Sequence, residues 1–169
     1  MREEHVLSEE LTGAKGEVAD WFTGELGREL HPPHLLWMQQ PAVARTVLEL
    51  GHYARYVALD YRQREMIIMT VAQHHDVKTA WDIHYPTAIE SGASEDALRE
   101  IERGGIPTDI TDVETCILKA CRRLLEVNRL SDDEYAELKD AVGVEGIVEV
   151  VAVTGYFTML MMHIGAFDI

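Results

Sequence analysis

Two ionisable side chains, Glu65 and His84, lie on otherwise apolar faces of two consecutive predicted helices. His84 shares its face with Ala80, Trp81 and Ala88 at helical spacing, so we expect the imidazole to point inward. A carboxylate and an imidazole within hydrogen-bond reach form a standard proton-transfer couple. The pattern favours general acid–base chemistry, and the alternative is a hydrogen-bonded core histidine with no catalytic role.

Glu65 directly precedes MIIMTVA, a run that is apolar all round, as in a helix surrounded by protein. An unpaired buried carboxylate is costly, so we expect this side chain to be paired, hydrogen-bonded or protonated. The short loop around Asp76 makes the two helices antiparallel neighbours. The two helices begin near opposite ends of that hairpin, however, so the sequence alone does not show whether Glu65 and His84 are in contact.

The other polar residues of the hairpin do not indicate a metal site. His74 and His75 are adjacent and diverge, and the sequence has no HxxxH or HExxH spacing. Asp82 lies on a different helical face from His84 and is predicted to be solvated beside Lys78. Since the glycine-rich motifs of nucleotide sites are also missing from the sequence, we expect neither a metal nor an organic cofactor.

The composition is that of a soluble globular chain with an acidic surface. The 169 residues are 47% hydrophobic and 27% charged, and 30 acidic against 15 basic side chains give a formal net charge of −15. Such a surface repels phosphate backbones and anionic lipids, so nucleic acids and membranes are not expected partners. The polar N-terminus lacks a signal-peptide pattern and Cys116 and Cys121 read as reduced core thiols, which predicts a cytoplasmic protein.

Helical periodicity covers the chain, and no alternating strand pattern is found in the sequence. Ser8, Asp60, Asp76 and Ser94 are the predicted starts of helices, and Gly92 is a predicted C-terminal stop. Polar residues interrupt the apolar C-terminal stretch, which predicts a buried helix or a subunit interface rather than a membrane span. The predicted fold is therefore all-α, with seven or eight helices in a single domain, 1–169.

The hairpin segment REMIIMTVAQHHDVKTAWDIHYPTAIESGASEDALREI resembles the core of the carboxymuconolactone decarboxylase and alkylhydroperoxidase-D-like (AhpD-like) superfamily. The upstream PPHLLWMQQPAVARTVLELGHYAR and the closing YFTMLMMHIGAFDI are similar to the segments that flank this core. The resemblance covers roughly 30–169, which leaves 1–29 as an N-terminal helical extension. It implies an AhpD-like helical bundle around a central antiparallel hairpin, and a homo-oligomer, either a trimer or a hexamer.

The peroxidase branch of this superfamily carries a Cys-x-x-Cys pair between its glutamate and its histidine. Counted from Glu65, the two cysteine positions hold Val77 and Ala80, and the histidine position holds His84. Without these thiols there is no nucleophile to attack a peroxide and no partner to complete a disulfide. Alkylhydroperoxidase activity by that mechanism is therefore not expected.

The decarboxylase-like branch often carries Glu-Trp-Ala-His-His where this chain reads AWDIH. Trp81 and His84 match, whereas Ala80 stands at the position of the motif's glutamate and Ile83 at that of its first histidine. The resemblance implies a cofactor-free site for small carbonyl or lactone compounds, built from helices and often completed at a subunit interface.

The predicted function is cofactor-free acid–base catalysis on a small carbonyl, lactone or carboxylic acid compound, as a lyase, decarboxylase or isomerase. Glu65 and His84 would be the catalytic pair, and the candidate substrate-binding residues are Trp81, Tyr61, Arg62 and His34. For an anionic substrate, Arg62 or Arg55 could supply the counter-charge. The alternative function is that of a catalytically inactive oligomeric protein that binds small molecules or acts as a scaffold.

Overall fold

The computed structural model describes residues 2–169, which form eight α-helices and no β-strand within that range. The all-α prediction and the predicted number of helices are confirmed. The helices are α1 (Ala14–Asp20), α2 (Pro32–Trp37), α3 (Pro41–Tyr56), α4 (Tyr61–His74), α5 (Lys78–Glu90), α6 (Glu95–Glu102), α7 (Asp112–Val127) and α8 (Asp132–Phe167).

The chain divides into two compact units. The first comprises the residues up to Tyr53 together with Met162–Ile169, and the second comprises Ala54–Met161. The hairpin that carries Glu65 and His84 therefore belongs to the second unit.

In the first unit, the helix predicted to start at Ser8 begins later. Glu4–Ser8 forms a 3₁₀ turn, and α1 starts only at Ala14. The physical reason is Gly13, which takes a φ of 56° that favours glycine and redirects the chain before the helix. A π-helical turn, Trp21–Glu25, then follows α1.

α4 is the centre of the second unit, because every residue from Arg64 to Ala72 is buried. The apolar run therefore has protein on all sides, as its sequence predicts, and α5, α6 and α7 pack around it. Its predicted start is confirmed as well: Asp60 is the N-cap, and its backbone N–H donates to the Gln63 side-chain oxygen at 3.2 Å.

The turns on either side of α5 determine how it lies against α4. Asp76 is not the helix cap that the sequence predicts; it takes a left-handed conformation with a φ of 53°, and Val77 is the N-cap. Aspartate tolerates this conformation better than most residues. At the other end, Gly92 (φ 97°) follows the helix as predicted, and the Ser94 hydroxyl accepts from the Ala97 N–H at 2.9 Å.

α8 contains both the apolar C-terminal stretch and the acidic segment that precedes it. Gly143 lies between them with a non-helical φ of 71° and ψ of 178°, and the 36-residue element continues on both sides of it. By length and composition alone, α8 could cross a membrane, and 39% of its most apolar 18-residue window is buried. Core helices of soluble proteins have the same length and composition, so this is weak evidence for a span.

Candidate functional site

Glu65 and His84 meet inside the second unit. His84 Nδ1 lies 3.0 Å from Glu65 Oε2, and the two side chains are 11% and 7% exposed. Each residue lies in the second turn of its helix, on the face that packs against the other helix. The residues one turn before and after His84, Ala80 and Ala88, are small and buried, which allows the helices a close approach. The structure thus makes the contact that the sequence leaves open.

The contact assigns different tasks to the two imidazole nitrogens of His84. Nδ1 faces the Glu65 carboxylate, which accepts a hydrogen bond in the tautomer that carries the proton on Nδ1. Nε2 is therefore the nitrogen left for a substrate, as an acceptor in the neutral ring and a donor in the imidazolium. A carboxylate behind the ring fixes the ring's orientation and stabilises the positive charge that develops when Nε2 takes a proton. This arrangement can move a proton in either direction.

One aromatic side chain, Phe157, packs next to the imidazole of His84. The Phe157 ring lies 5.8 Å from the His84 ring, centre to centre, at an interplanar angle of 89°. Phe157 comes from α8 and is fully buried. Sequence reasoning missed it, because one phenylalanine in a long apolar helix carries no signal that distinguishes a site residue from a core residue.

Arg55, at the end of α3, lies against the Phe157 ring. Its guanidinium carbon is 4.9 Å from the centre of the Phe157 ring and 5.9 Å from that of Tyr156, and it donates to the Tyr156 hydroxyl. Burial raises the pKa of Tyr156, while the charge of Arg55 opposes that shift. A cation therefore lies on the same ring that contacts the imidazole.

Tyr61 lies at the edge of the site and is 41% exposed. The Arg64 guanidinium carbon is 5.6 Å from its ring centre. Burial raises the pKa of Tyr61, and the negative charges of Glu90 and Glu65 raise it further. The Tyr61 hydroxyl is thus close enough to Glu65 to sense its charge, as expected for a residue one turn earlier on α4.

Two other predicted binding residues, Arg62 and Trp81, have contacts of their own. The Arg62 guanidinium lies 2.8 and 2.9 Å from the buried carboxylate of Glu114, whose oxygen also accepts from Thr111 at the start of α7. Arg62 therefore ties α4 to α7. Trp81 is half-buried, and its ring is 6.4 Å from that of Tyr85.

His34 belongs to the first unit and is buried there. Its Nδ1 accepts from the His31 N–H at 3.0 Å, and its ring stacks at 5.9 Å on Trp37 and meets Phe22 edge-on at 5.1 Å. These are contacts that hold a side chain in place within its own unit. A binding role for His34 stays a prediction.

The prediction for Asp82 is confirmed: it is exposed and pairs with Lys78 at 2.5 Å. Cys121 is a buried free thiol, as predicted, and burial raises its pKa to about 11. Cys116 is also free, but it is only half-buried and is not the core thiol that the sequence predicts. Among residues 2–169, no three His, Cys, Asp or Glu side chains are grouped as a metal site would require.

Two surface depressions of the second unit lie elsewhere. One is lined by α7 and the first part of α8, with Cys116 and Glu137 among its residues. The other lies between the end of α7 and the middle of α8, and includes His75 and Thr154. Neither is lined by Glu65 or His84. The Glu65–His84 pair therefore does not open into either depression.

Comparison with known proteins connects this geometry to a family. Residues 41–123, which run from the start of α3 into α7 and contain both members of the pair, match the model of the Carboxymuconolactone decarboxylase family. No curated protein sequence gives a significant match.

Two solved structures share the fold. One is a protein of unknown function from Agrobacterium tumefaciens that has been suggested to be the antioxidant defence protein AhpD; the TM-score is 0.67 and the identity 18%, over 79% of this chain and 92% of that chain. The other is a variant of the debrominase Bmp8 in complex with 2,3,4-tribromopyrrole, with a TM-score of 0.66 and 14% identity over 90% of this chain and 82% of that one. At these identities the likeness shows the fold alone.

Proposed function

We propose that this chain, whose residues 41–123 match the model of the Carboxymuconolactone decarboxylase family, is a cofactor-free acid–base enzyme of that family. Its substrate is a small carbonyl, lactone or carboxylic acid compound, and its reaction is that of a lyase, decarboxylase or isomerase. The family includes enzymes. The observation that carries the proposal is the 3.0 Å contact between Glu65 and His84 inside the hairpin.

The chemistry requires one group that gives and takes a proton at carbon. In a decarboxylation, the carbon–carbon bond to the leaving carboxylate breaks, its electron pair enters the neighbouring carbonyl as an enolate, and carbon dioxide departs. The His84 imidazolium then donates the Nε2 proton to the enolate carbon, while Glu65 holds the Nδ1 proton. In an isomerisation, Nε2 removes a proton from one carbon and returns it to another. Neither reaction needs an oxidant or a reductant.

The test is turnover of carboxymuconolactone and related β-keto or lactone acids by matched variants. His84→Ala and Glu65→Gln should each lower kcat/KM by a factor of about 10² to 10⁴, the usual contribution of a positioned acid or base. Asp82→Asn is the control, because Asp82 is exposed on the same helix and pairs with Lys78. Full turnover by Glu65→Gln would show that the acid–base assignment is wrong.

The second candidate is a catalytically inactive protein that binds small molecules or acts as a scaffold. One observation favours it: the buried pair lines neither of the two depressions described above. A folded wild-type protein that turns over none of these acids, yet retains a small ligand through purification, would support this candidate over the enzyme.

We also propose that the protein is a homo-oligomer, a trimer or a hexamer, associated through α8. Val144, Val148 and Val151 follow one another at spacings of four and three residues and are 54%, 63% and 48% exposed. Apolar side chains at this spacing form a seam that a second helix can cover. Light scattering should show an oligomer that Val148→Glu dissociates, and a wild-type monomer at micromolar concentration would contradict the proposal. A cytoplasmic location without nucleic-acid or membrane partners stays a prediction from composition.

A further inference from the structure

Arginines that could meet an anionic substrate precede the proton-transfer pair in sequence, and two of them are already engaged. Arg62 forms its ion pair with Glu114 at 2.8 Å. The guanidinium of Arg64 is buried and donates to the carbonyl oxygens of residues 58 and 59 at 2.8 and 2.7 Å. A carboxylate from a substrate would have to displace these contacts, so neither arginine is a ready counter-charge.

Arg55 is different. No ion pair within residues 2–169 includes it, and its charge is met only by the faces of Phe157 and Tyr156 and by the Tyr156 hydroxyl oxygen. Ring faces and a hydroxyl hold a guanidinium in position without neutralising it. A guanidinium fixed in this way retains the donor pairs that bind a carboxylate bidentately, and less entropy is lost when it does so.

The Phe157 ring places this cation beside the imidazole. The ring centre is 4.9 Å from the Arg55 guanidinium carbon and 5.8 Å from the centre of the His84 ring. Both groups therefore pack against one aromatic side chain, which keeps the guanidinium and the imidazole within one ring of each other. A carboxylate on Arg55 would leave the rest of a small organic acid beside His84.

We propose that Arg55 is the specificity-determining residue of the site: it binds a carboxylate of the substrate and holds the reacting carbon at His84. The inference rests on the acid–base function proposed above and narrows its substrate class to small carboxylic acids. The charge of Arg55 also determines which carboxylate of the substrate is bound. A bidentate ion pair stabilises an anionic carboxylate and loses that interaction when the group becomes neutral carbon dioxide, so it would oppose departure of the group it holds. The carboxylate on Arg55 is therefore retained in the product, and a decarboxylation at this site requires a substrate with a second carboxylate.

The test measures binding of a non-reacting pair of probes, levulinate and its methyl ester, which differ in one negative charge. Chemical-shift titrations of the wild type should show tighter binding of the acid than of the ester. Arg55→Met keeps an apolar stem on Phe157 and should remove that preference, a loss of about 10-fold or more in the affinity ratio, as for a hydrogen bond to a charged group. Arg99→Met is the matched control and should leave the ratio unchanged, because Arg99 is an exposed arginine of α6 that pairs with Glu95.

Arg55→Lys gives a second measurement if Arg55→Met does not fold, since lysine keeps the charge without the planar fork; it should weaken the preference for the acid. Equal affinities for acid and ester in the wild type, including no detectable binding of either, would overturn the inference. So would an unchanged preference in a folded Arg55 variant. The proposed function is judged separately, by turnover in the Glu65 and His84 variants, so it can stand when this inference fails.

Discussion

α5 carries two contacts between an acidic and a basic side chain in contrasting surroundings, and the two contacts should differ in energy. The Glu65 and His84 side chains are 7% and 11% exposed at a distance of 3.0 Å, whereas Lys78 and Asp82 are 81% and 56% exposed at 2.5 Å. Distance alone would rank the exposed pair first. We predict the opposite order: the coupling free energy between Glu65 and His84 is the larger one.

The expected magnitudes follow from solvent access. An exposed pair four residues apart on a helix contributes about 0.3–0.5 kcal/mol, because water screens the charges and two flexible side chains must be ordered. A buried hydrogen bond to a charged group contributes about 1.5–3 kcal/mol, since neither partner can turn to water when the other is removed. We therefore expect Glu65→Gln alone to lower the free energy of unfolding by about 1–3 kcal/mol.

The assay is a pair of double-mutant cycles measured by urea unfolding. One cycle combines Glu65→Gln with His84→Ala, and the other combines Lys78→Ala with Asp82→Ala. Raising the salt concentration to about 1 M should remove the second coupling and leave most of the first, because screening acts on exposed charges. If the Glu65–His84 coupling is no larger than that of the surface pair, the two groups do not depend on each other energetically. The reasoning that makes them a proton-transfer couple would then fail.

Three further outcomes are expected. Gly143→Ala should lower the free energy of unfolding by about 1–3 kcal/mol, because a φ of 71° with a ψ of 178° strains any residue with a Cβ. Gly165→Ala has open space for its Cβ in helical surroundings and should raise the free energy of unfolding by up to about 1 kcal/mol; equal urea midpoints for the two variants would contradict this. Burial lowers the pKa of His163 below its ordinary 6.5, so the unfolded chain binds more protons: stability is complete above that pH and falls on acidification, and His163→Gln should flatten urea midpoints measured between about pH 5 and pH 7. A thiol reagent at about pH 8 should modify half-buried Cys116 before Cys121, whose pKa is about 11, and the reverse order would show that the burial is misassigned.

Local signals in the sequence predicted three of the five helix boundaries named above. Asp60, Gly92 and Ser94 behave as their types and positions predict, because a cap or a glycine stop acts within one helical turn. Asp76 and Ser8 show where local rules fail. Each is a good capping residue, yet Asp76 itself takes a left-handed conformation before α5, and Ser8 ends a 3₁₀ turn while Gly13 precedes α1.

The sequence singled out Glu65 and His84 but not the residues that surround them. Glu65 and His84 stood out because ionisable groups on apolar stripes are unusual, and one tight hairpin brings the two helices together. Arg62 was a reasonable binding candidate by sequence, but its partner Glu114 comes from α7, and no local pattern could reveal that contact. Arg55 and Phe157 lie far apart along the chain, and their contact forms only when the second unit is folded.

Contacts around His84 differ greatly in how far apart they lie along the chain, and this has a consequence for folding. Glu65 and His84 are 19 residues apart and joined by one turn, so closing that loop costs little entropy. Phe157 reaches them only after the chain has passed through α6, α7 and most of α8. We expect the α4–α5 hairpin to be formed in the folding transition state, so that substitutions there slow folding, while substitution of Phe157 mainly accelerates unfolding. The Glu65–His84 pair then forms first, and Phe157, the ring against which Arg55 packs, reaches the pair last.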